Sequence, residues 1–385
     1  MRRFIQELQD FTKKGDFVLL LICLITSAFG LIAVASTATG KFDEGSIRYV
    51  LIQLLSTVLG VCMYAIMSSI DIESMSERRN LLVAFNITLL LMLIPFGVNR
   101  GGNRSWLDFP LIPINIQPAE ICKITYIIIM ASVMSSHQNR LSSIPSVMHM
   151  VFHLAILVGL NMALSKDAGV SLIFVFIFVG MTFAGGVNIG WFILAISLIA
   201  IAIPIVWPFL GEYQQERIMV LIDPSFDAMG TGARYHHKIN MLSLTGGGLT
   251  GQGLFNGNRT QGGLLFAGHT DYIFSSMGEE LGFFGCVMIM LMQFAIIARC
   301  IWVGVRCQDY IRRLVCFGAA SALIFQVTIN VGMCIGVMPV IGLTLPLISY
   351  GGSSVVTIYA MLGLVSGSYA RPQSMSHERY IQPHR

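Results

Sequence analysis

Apolar residues in this chain come in long, nearly uninterrupted runs separated by short polar, glycine- or proline-bearing breaks. The runs fall at 17–36, 47–67, 81–98, 118–134, 146–164, 168–185, 190–209, 272–298, 314–338 and 347–369. At 1.5 Å of rise per residue, a helix needs roughly 20 apolar residues to cross a hydrocarbon layer of about 30 Å. The pattern predicts an all-α polytopic membrane protein, one transmembrane domain over 1–385 with about ten membrane-crossing helices.

Composition points the same way. Hydrophobic residues make up 55% of the 385 and charged ones 11%, with a mean hydropathy of +0.74, whereas a soluble domain carries roughly 25% charge. The net charge of +4 comes without a basic tract, which excludes a nucleic-acid partner. Eight cysteines sit mostly inside apolar runs, with no CxxC pair, and read as small hydrophobes. The first apolar run is followed by no small-residue cleavage site, so it is expected to stay as the first span.

An even number of spans puts both termini on one side. With that side cytoplasmic, 14 of the 24 basic residues lie inside, five in short outer loops, four in a long outer loop and one, Lys123, within a span. Two outer segments exceed the tight connections elsewhere: 99–117 and the 61-residue stretch 210–270 between the seventh and eighth spans. The second holds 12 glycines, and its Tyr235, Ile239 and Leu242 recur at helical spacing, which predicts a short interfacial helix on the outer leaflet.

Polar residues near membrane depth collect toward the outer face, while the inner half looks bare apart from Asp71, Glu73, Arg78 and Arg79, which read as solvated or interfacial. Glu120 and Lys123 follow the helix-starting Gln117-Pro118 and share a face, either as a structural ion pair or with Lys123 holding an anion. Trp106 is either an interfacial belt residue or is presented by a turn in Gly-Gly-Asn-Arg-Ser-Trp. Asp271 opens a long apolar helix, where a carboxylate either caps the helix or serves a membrane-edge cavity. Glu279 and Glu280, on the same helix, are either the acid or part of an exposed outer turn. Neighbouring His236 and His237 point apart on a helix, against a joint metal role. The run Thr344 to Ser354 places Pro346, Ser349, Gly351, Gly352 and Ser353 at a break whose N–H groups suit phosphate or sugar oxygens, unless its small residues serve helix packing.

Six blocks carry a family resemblance: Arg104-Ser105-Trp106-Leu107-Asp108 with Gln117-Pro118-Ala119-Glu120-Ile121-Cys122-Lys123; Asp167-Ala168-Gly169; Tyr213 to Ile218 with Asp223-Pro224; His269-Thr270-Asp271-Tyr272-Ile273-Phe274; Gly278-Glu279-Glu280-Leu281-Gly282; and Met338 to Ser354. In this order, over nearly the whole chain, the sequence resembles the SEDS family (shape, elongation, division and sporulation; the FtsW, RodA and SpoVE type) and within it the RodA-like branch. It departs from the family in Phe266-Ala267-Gly268 before the His-Thr-Asp, in Tyr272 for the usual Phe, in Leu244 to Leu249 and in Tyr235-His236-His237.

The resemblance implies a multi-pass protein of the bacterial plasma membrane that polymerises lipid II into glycan strands at its outer face during cell-wall elongation. Its implied partners are lipid II, undecaprenyl-pyrophosphate-linked glycan, membrane lipid and a class B penicillin-binding protein. It assigns catalysis to Asp271, as general base in an inverting transfer. Substrate binding falls to Trp106, Glu120, Lys123, Arg217, His269, Thr270, Ser349, Gly351, Gly352 and Ser353. The leaving pyrophosphate has four candidate stabilisers: Lys123, Arg217, the backbone near Gly351, and a divalent cation, magnesium or manganese. No resident cofactor or metal-ligand set is visible. The alternatives are a flippase or transporter of lipid-linked precursors, and a non-catalytic scaffold that activates a partner synthase.

Overall fold

The computed structural model describes residues 15–39, 44–100, 103–108, 115–209, 215, 219, 233–265 and 267–369. The helices used below are α1 (Phe17–Thr39), α2 (Glu44–Ser69), α3 (Arg79–Leu91), α4 (Pro118–Ser136), α5 (Ile144–Leu164), α6 (Ala168–Gly185), α7 (Ile189–Val206), α8 (Ala233–Gly246), α9 (Ile273–Arg306), α10 (Tyr310–Cys334) and α11 (Gly352–Tyr369). Among the described residues, eight helices are long and apolar enough to cross a membrane, and α7 supplies a shorter apolar helix. The protein is therefore an all-α polytopic membrane protein.

Burial sorts the helices. In α4, 83% of the spanning window is buried and in α10 72%, against 17% for the span that begins at α3 and 22% for α2 and α5. The first two form the centre of the bundle, and the last three offer side chains to lipid. The last helix, α11, is buried along nearly its whole length. It approaches α2 closely because Gly363 and Gly367, four apart, lie against the α2 backbone at Tyr64 and Ser68, where a Cβ would collide.

Local sequence sets the helix ends. Pro118 occupies the first turn of α4, where no backbone donor is needed. Asp167, Asn188 and Asp309 cap α6, α7 and α10 by accepting from the N–H groups of Val170, Gly190 and Arg312. Gly186 ends α6 at φ +88°.

Several expectations shift in detail. The third apolar run stops at Phe96, because Gly97–Arg100 leaves the helix as β1 and pairs antiparallel with β2, Asn103–Leu107. The last run becomes helical only from Gly352. Of the charges expected to be solvated or interfacial, Asp71 is exposed (54%), whereas Glu73 is mostly buried; both reach the buried Arg312, Glu73 at 3.1 Å and Asp71 at 3.7 Å. Nor is the half expected to be bare without polar contacts, since Asp16, 1% exposed, receives Arg299 through two guanidinium contacts of 2.8 and 2.9 Å. Asp16 also ties together three helices: its N–H donates to Ser366 Oγ, and Tyr64 Oη donates to its carbonyl.

The eighth span is longer than its apolar run and is broken. Gly282 adopts φ +68° and ψ −161° inside α9. A continuous helix would pair the N–H groups of Phe283 and Phe284 with the carbonyls of Glu279 and Glu280. Here all four groups turn to the glycine-rich stretch after α8. Phe283 N donates to Gly248 O (2.9 Å) and Phe284 N to Leu249 O (3.3 Å), while Gln252 N and Gly253 N donate to Glu279 O (3.0 Å) and Glu280 O (2.9 Å). Gly247 and Gly251 fit only because a Cβ at either would strike the α9 backbone. Glu279 and Glu280 are fully buried rather than in an exposed turn. Glu279 accepts from Arg259 N, Thr260 N and Thr260 Oγ1, and Glu280 from Ser36 Oγ and Gln261 Nε2. The carboxylates expected as a possible acid thus anchor the loop.

Candidate active site

Residues 267–272 form a turn just before α9, and its N-cap is Tyr272, without a side-chain cap bond. Asp271 precedes that cap and does not fill the capping position. Its partly buried carboxylate lies beside Gly342, where a Cβ would stand 3.4 Å from Oδ2.

Three successive carbonyls of this turn are each held by a different donor. Tyr350 N–H donates to His269 O at 2.9 Å, Ser349 Oγ to Thr270 O at 2.6 Å, and Asn330 Nδ2 of α10 to Asp271 O at 2.8 Å. The same Asn330 amide reaches Leu343 O at 2.6 Å, so one side chain fixes both segments. From α2, Gln53 Nε2 donates to Ser349 O (3.2 Å) and its Oε1 accepts from Gly351 N (3.3 Å); from α9, Gln293 Nε2 donates to Pro346 O (2.8 Å). Both segments contain a non-glycine residue at positive φ, Ala267 at +52° and Leu347 at +60°. Such backbone costs about 1–3 kcal/mol and persists where surrounding bonds over-determine it.

These bonds change the part played by the Pro346–Ser354 run. The N–H groups of Ile348, Ser349, Tyr350 and Gly351, within the break whose N–H groups suit phosphate or sugar oxygens in the sequence, are committed to protein acceptors. Ser349 Oγ, 2% exposed as a residue, also accepts from Leu345 N. Free donors begin further on, at the first turn of α11, where Gly352, Ser353 and Ser354 have no preceding helical carbonyl to bond. There Ser353 Oγ is buried without a hydrogen-bond partner.

One turn into α11, Thr357 Oγ1 lies 3.0 Å from Glu120 Oε2. Glu120 and Lys123, 4% and 3% exposed, form an ion pair of 2.8 Å on α4. Close to them lies Asp167, whose Oδ2 accepts from Gln117 Nε2 (3.1 Å) and Ser105 Oγ (3.4 Å). Burial holds the Asp167 carboxyl above the usual carboxylate range, opposed by the bond from Val170 N–H and aided by the charge of Glu120. Ser105 is the neighbour of Trp106, which lies on β2 paired with Val98 of β1; residues 101–102 of the turn expected to present it lie outside the described residues.

The fold therefore joins His269, Thr270, Asp271, Ser349 and Gly351 in one bonded unit, and Glu120, Lys123 and Asp167 in another, with α11 running from the first to the second. Arg217 lies outside the described residues. Sequence reading missed Gln53, Asn330 and Gln293, each a carboxamide inside an apolar helix; that placement was the available signal.

Comparison with known proteins agrees with this arrangement. Residues 16–371 match the model of the FtsW, RodA and SpoVE family, described as cell cycle proteins. Escherichia coli K12 peptidoglycan glycosyltransferase MrdB is 30% identical over 364 residues, covering 94% of this chain and 95% of that protein. The probable peptidoglycan glycosyltransferase FtsW of Geobacter metallireducens is 32% identical over 361 residues, covering 91% and 93%. Among solved structures, a chain from a peptidoglycan synthase complex that coordinates polymerization and crosslinking superposes with a TM-score of 0.76 at 26% identity, covering 96% and 99%. A mutant of the rod shape determining protein RodA of Thermus thermophilus gives 0.67 at 25%, with the same coverage. A match over nearly the full length, on a shared bundle, identifies this chain as a member of the FtsW, RodA and SpoVE family.

Proposed function

We propose that this protein is a peptidoglycan glycosyltransferase of the bacterial plasma membrane, polymerising lipid II at the outer face with Asp271 as general base. The reading includes ten crossings, both termini in the cytoplasm, and 210–270 as the large outer loop between the seventh and eighth. The observation that carries it is the locking of three consecutive carbonyls, those of His269, Thr270 and Asp271, by donors from two other segments. A base must be held where its proton arrives, and that network holds the Asp271 backbone.

In the proposed step the acceptor sugar's 4-hydroxyl gives its proton to the Asp271 carboxylate as its oxygen bonds to the donor's anomeric carbon. The bond from that carbon to the lipid pyrophosphate breaks, the electron pair leaves with the pyrophosphate, and configuration inverts. General-base catalysis supplies ~10²- to 10⁴-fold, so charge stabilisation of the leaving group must add to it. The first turn of α11, with the unpartnered Ser353 hydroxyl, and Lys123 on α4 supply donors of the right sign. Among the described residues no three His, Cys, Asp or Glu side chains converge as a metal cage. A magnesium or manganese ion would be held jointly by substrate phosphate and one carboxylate, and no step here depends on it. Ser349 and Gly351 act by positioning, since their polar groups are used within the fold. Trp106 and Arg217 remain assigned to the substrate from the family pattern, with a class B penicillin-binding protein as partner.

The test is a gel assay with labelled lipid II, purified protein and its class B partner, comparing wild type with Asp271→Asn. Polymer from wild type and none from an equally folded variant is the expected outcome. Equal polymer from both would remove Asp271 from the chemistry.

A further inference from the structure

Three aromatic rings meet at the rim of the proposed site. Tyr49 of α2 stands 5.0 Å, centroid to centroid, from His269 and 5.0 Å from Tyr350, and the last two are 5.8 Å apart. The Tyr49–Tyr350 pair is edge-on, at 89°, while His269 is tilted by 45° to Tyr49. His269 lies two residues before Asp271, and Tyr350 donates its N–H to the His269 carbonyl. One helical turn along α2 from Tyr49, Gln53 grips Ser349 and Gly351. The backbone bonds that hold the Asp271 turn thus also hold these rings.

Tyr49 is 38% exposed and is the most open of the three. A pyranose ring presents axial C–H groups on one face, which pack against the negative face of an aromatic ring, while its rim hydroxyls stay in water or bond to polar groups. A half-open tyrosine, backed by a second aromatic ring and an imidazole beside the proposed base, has the form of such a platform.

We infer that Tyr49, supported by Tyr350 and His269, is a substrate-positioning residue that stacks on the apolar face of a sugar ring of the lipid-linked substrate beside Asp271. The inference rests on the assignment of Asp271 as the reacting centre. A tyrosine that merely anchors α2 at the membrane–water boundary would be the other role for this side chain. An anchor or packing residue tolerates leucine in proportion to the apolar area kept, whereas a platform needs a flat ring.

The experiment measures initial rates of polymer formation against lipid II concentration for wild type, Tyr49→Phe, Tyr49→Leu and Asp271→Asn, with thermal unfolding of each. Tyr49→Phe should stay within about twofold of wild type, and Tyr49→Leu should raise KM about five- to tenfold with kcat and unfolding temperature kept. Tyr49→Leu with wild-type KM overturns the inference, as does a loss of kcat and unfolding temperature together. If Tyr49→Leu is silent while Asp271→Asn is inactive, only the platform fails. If Asp271→Asn polymerises normally, the site itself has been misplaced.

Discussion

The ion pair between Glu120 and Lys123 gives a quantitative test of how this bundle is held. Both residues are at most 4% exposed, and Thr357 is the further hydrogen-bonding partner of Glu120 across the gap to α11. Lys123→Met leaves a carboxylate in apolar surroundings with one hydroxyl, and Glu120→Gln leaves an ammonium without a counter-charge. Removing one member of a buried pair costs about 3–5 kcal/mol, whereas replacing both with groups of similar volume is near neutral. The two single variants should therefore each lose about that much, and Glu120→Gln/Lys123→Met should recover most of it, a coupling of at least about 3 kcal/mol. Unfolding by SDS in mixed micelles measures all four proteins, and the double-mutant cycle isolates the pair. Additive losses, with coupling below about 0.5 kcal/mol, would refute the reasoning. Polymerisation by the double variant then separates the two readings of the pair. A stable but inactive protein places Lys123 on the substrate, and a stable, active one makes the pair a packing device.

Gly251→Ala should destabilise far more than Gly186→Ala in the same SDS assay. Both glycines have φ above +80°, which costs about 1–2 kcal/mol for alanine, but only Gly251 faces a backbone, at Glu280, that a Cβ would strike; equal losses would show that the close contact is absent. Asp167 predicts a pH effect. Its carboxyl titrates above the ordinary range in the folded protein, so its contribution to stability is full below the unfolded value and declines as pH rises through the folded one. Asp167→Asn should remove that downward slope from a stability–pH curve, and an unchanged slope would count against the assignment.

Most of the bundle was legible because lipid imposes a simple rule: a run of about twenty apolar residues must become a helix. The rule failed where helix and membrane depth part company. Nothing in the apolar run 272–298 announces a break at Gly282, because the freed backbone groups are met by residues 248–253, distant in composition as well as position. Glu279 and Glu280 misled for the same reason, their partners lying on α1 and in the loop. Asp271, Glu120 and Lys123 stood out as charges in an apolar chain. The carboxamides that organise the site did not, since a neutral Gln53 or Asn330 interrupts hydropathy too little to draw notice.

The mutual pairing of 248–249 and 252–253 with the broken turn of α9 bears on how relatives can be recombined. Two hydrogen bonds that a continuous span would make alone are replaced by four made jointly with residues 248–253, an earlier segment of the chain. Neither partner is then a module. Grafting the segment between α7 and α9 of another family member onto this bundle without residues 278–284 would leave up to four backbone groups without partners. A workable exchange has its seams beyond both stretches, so the smallest transferable unit runs from the end of α8 past Phe284.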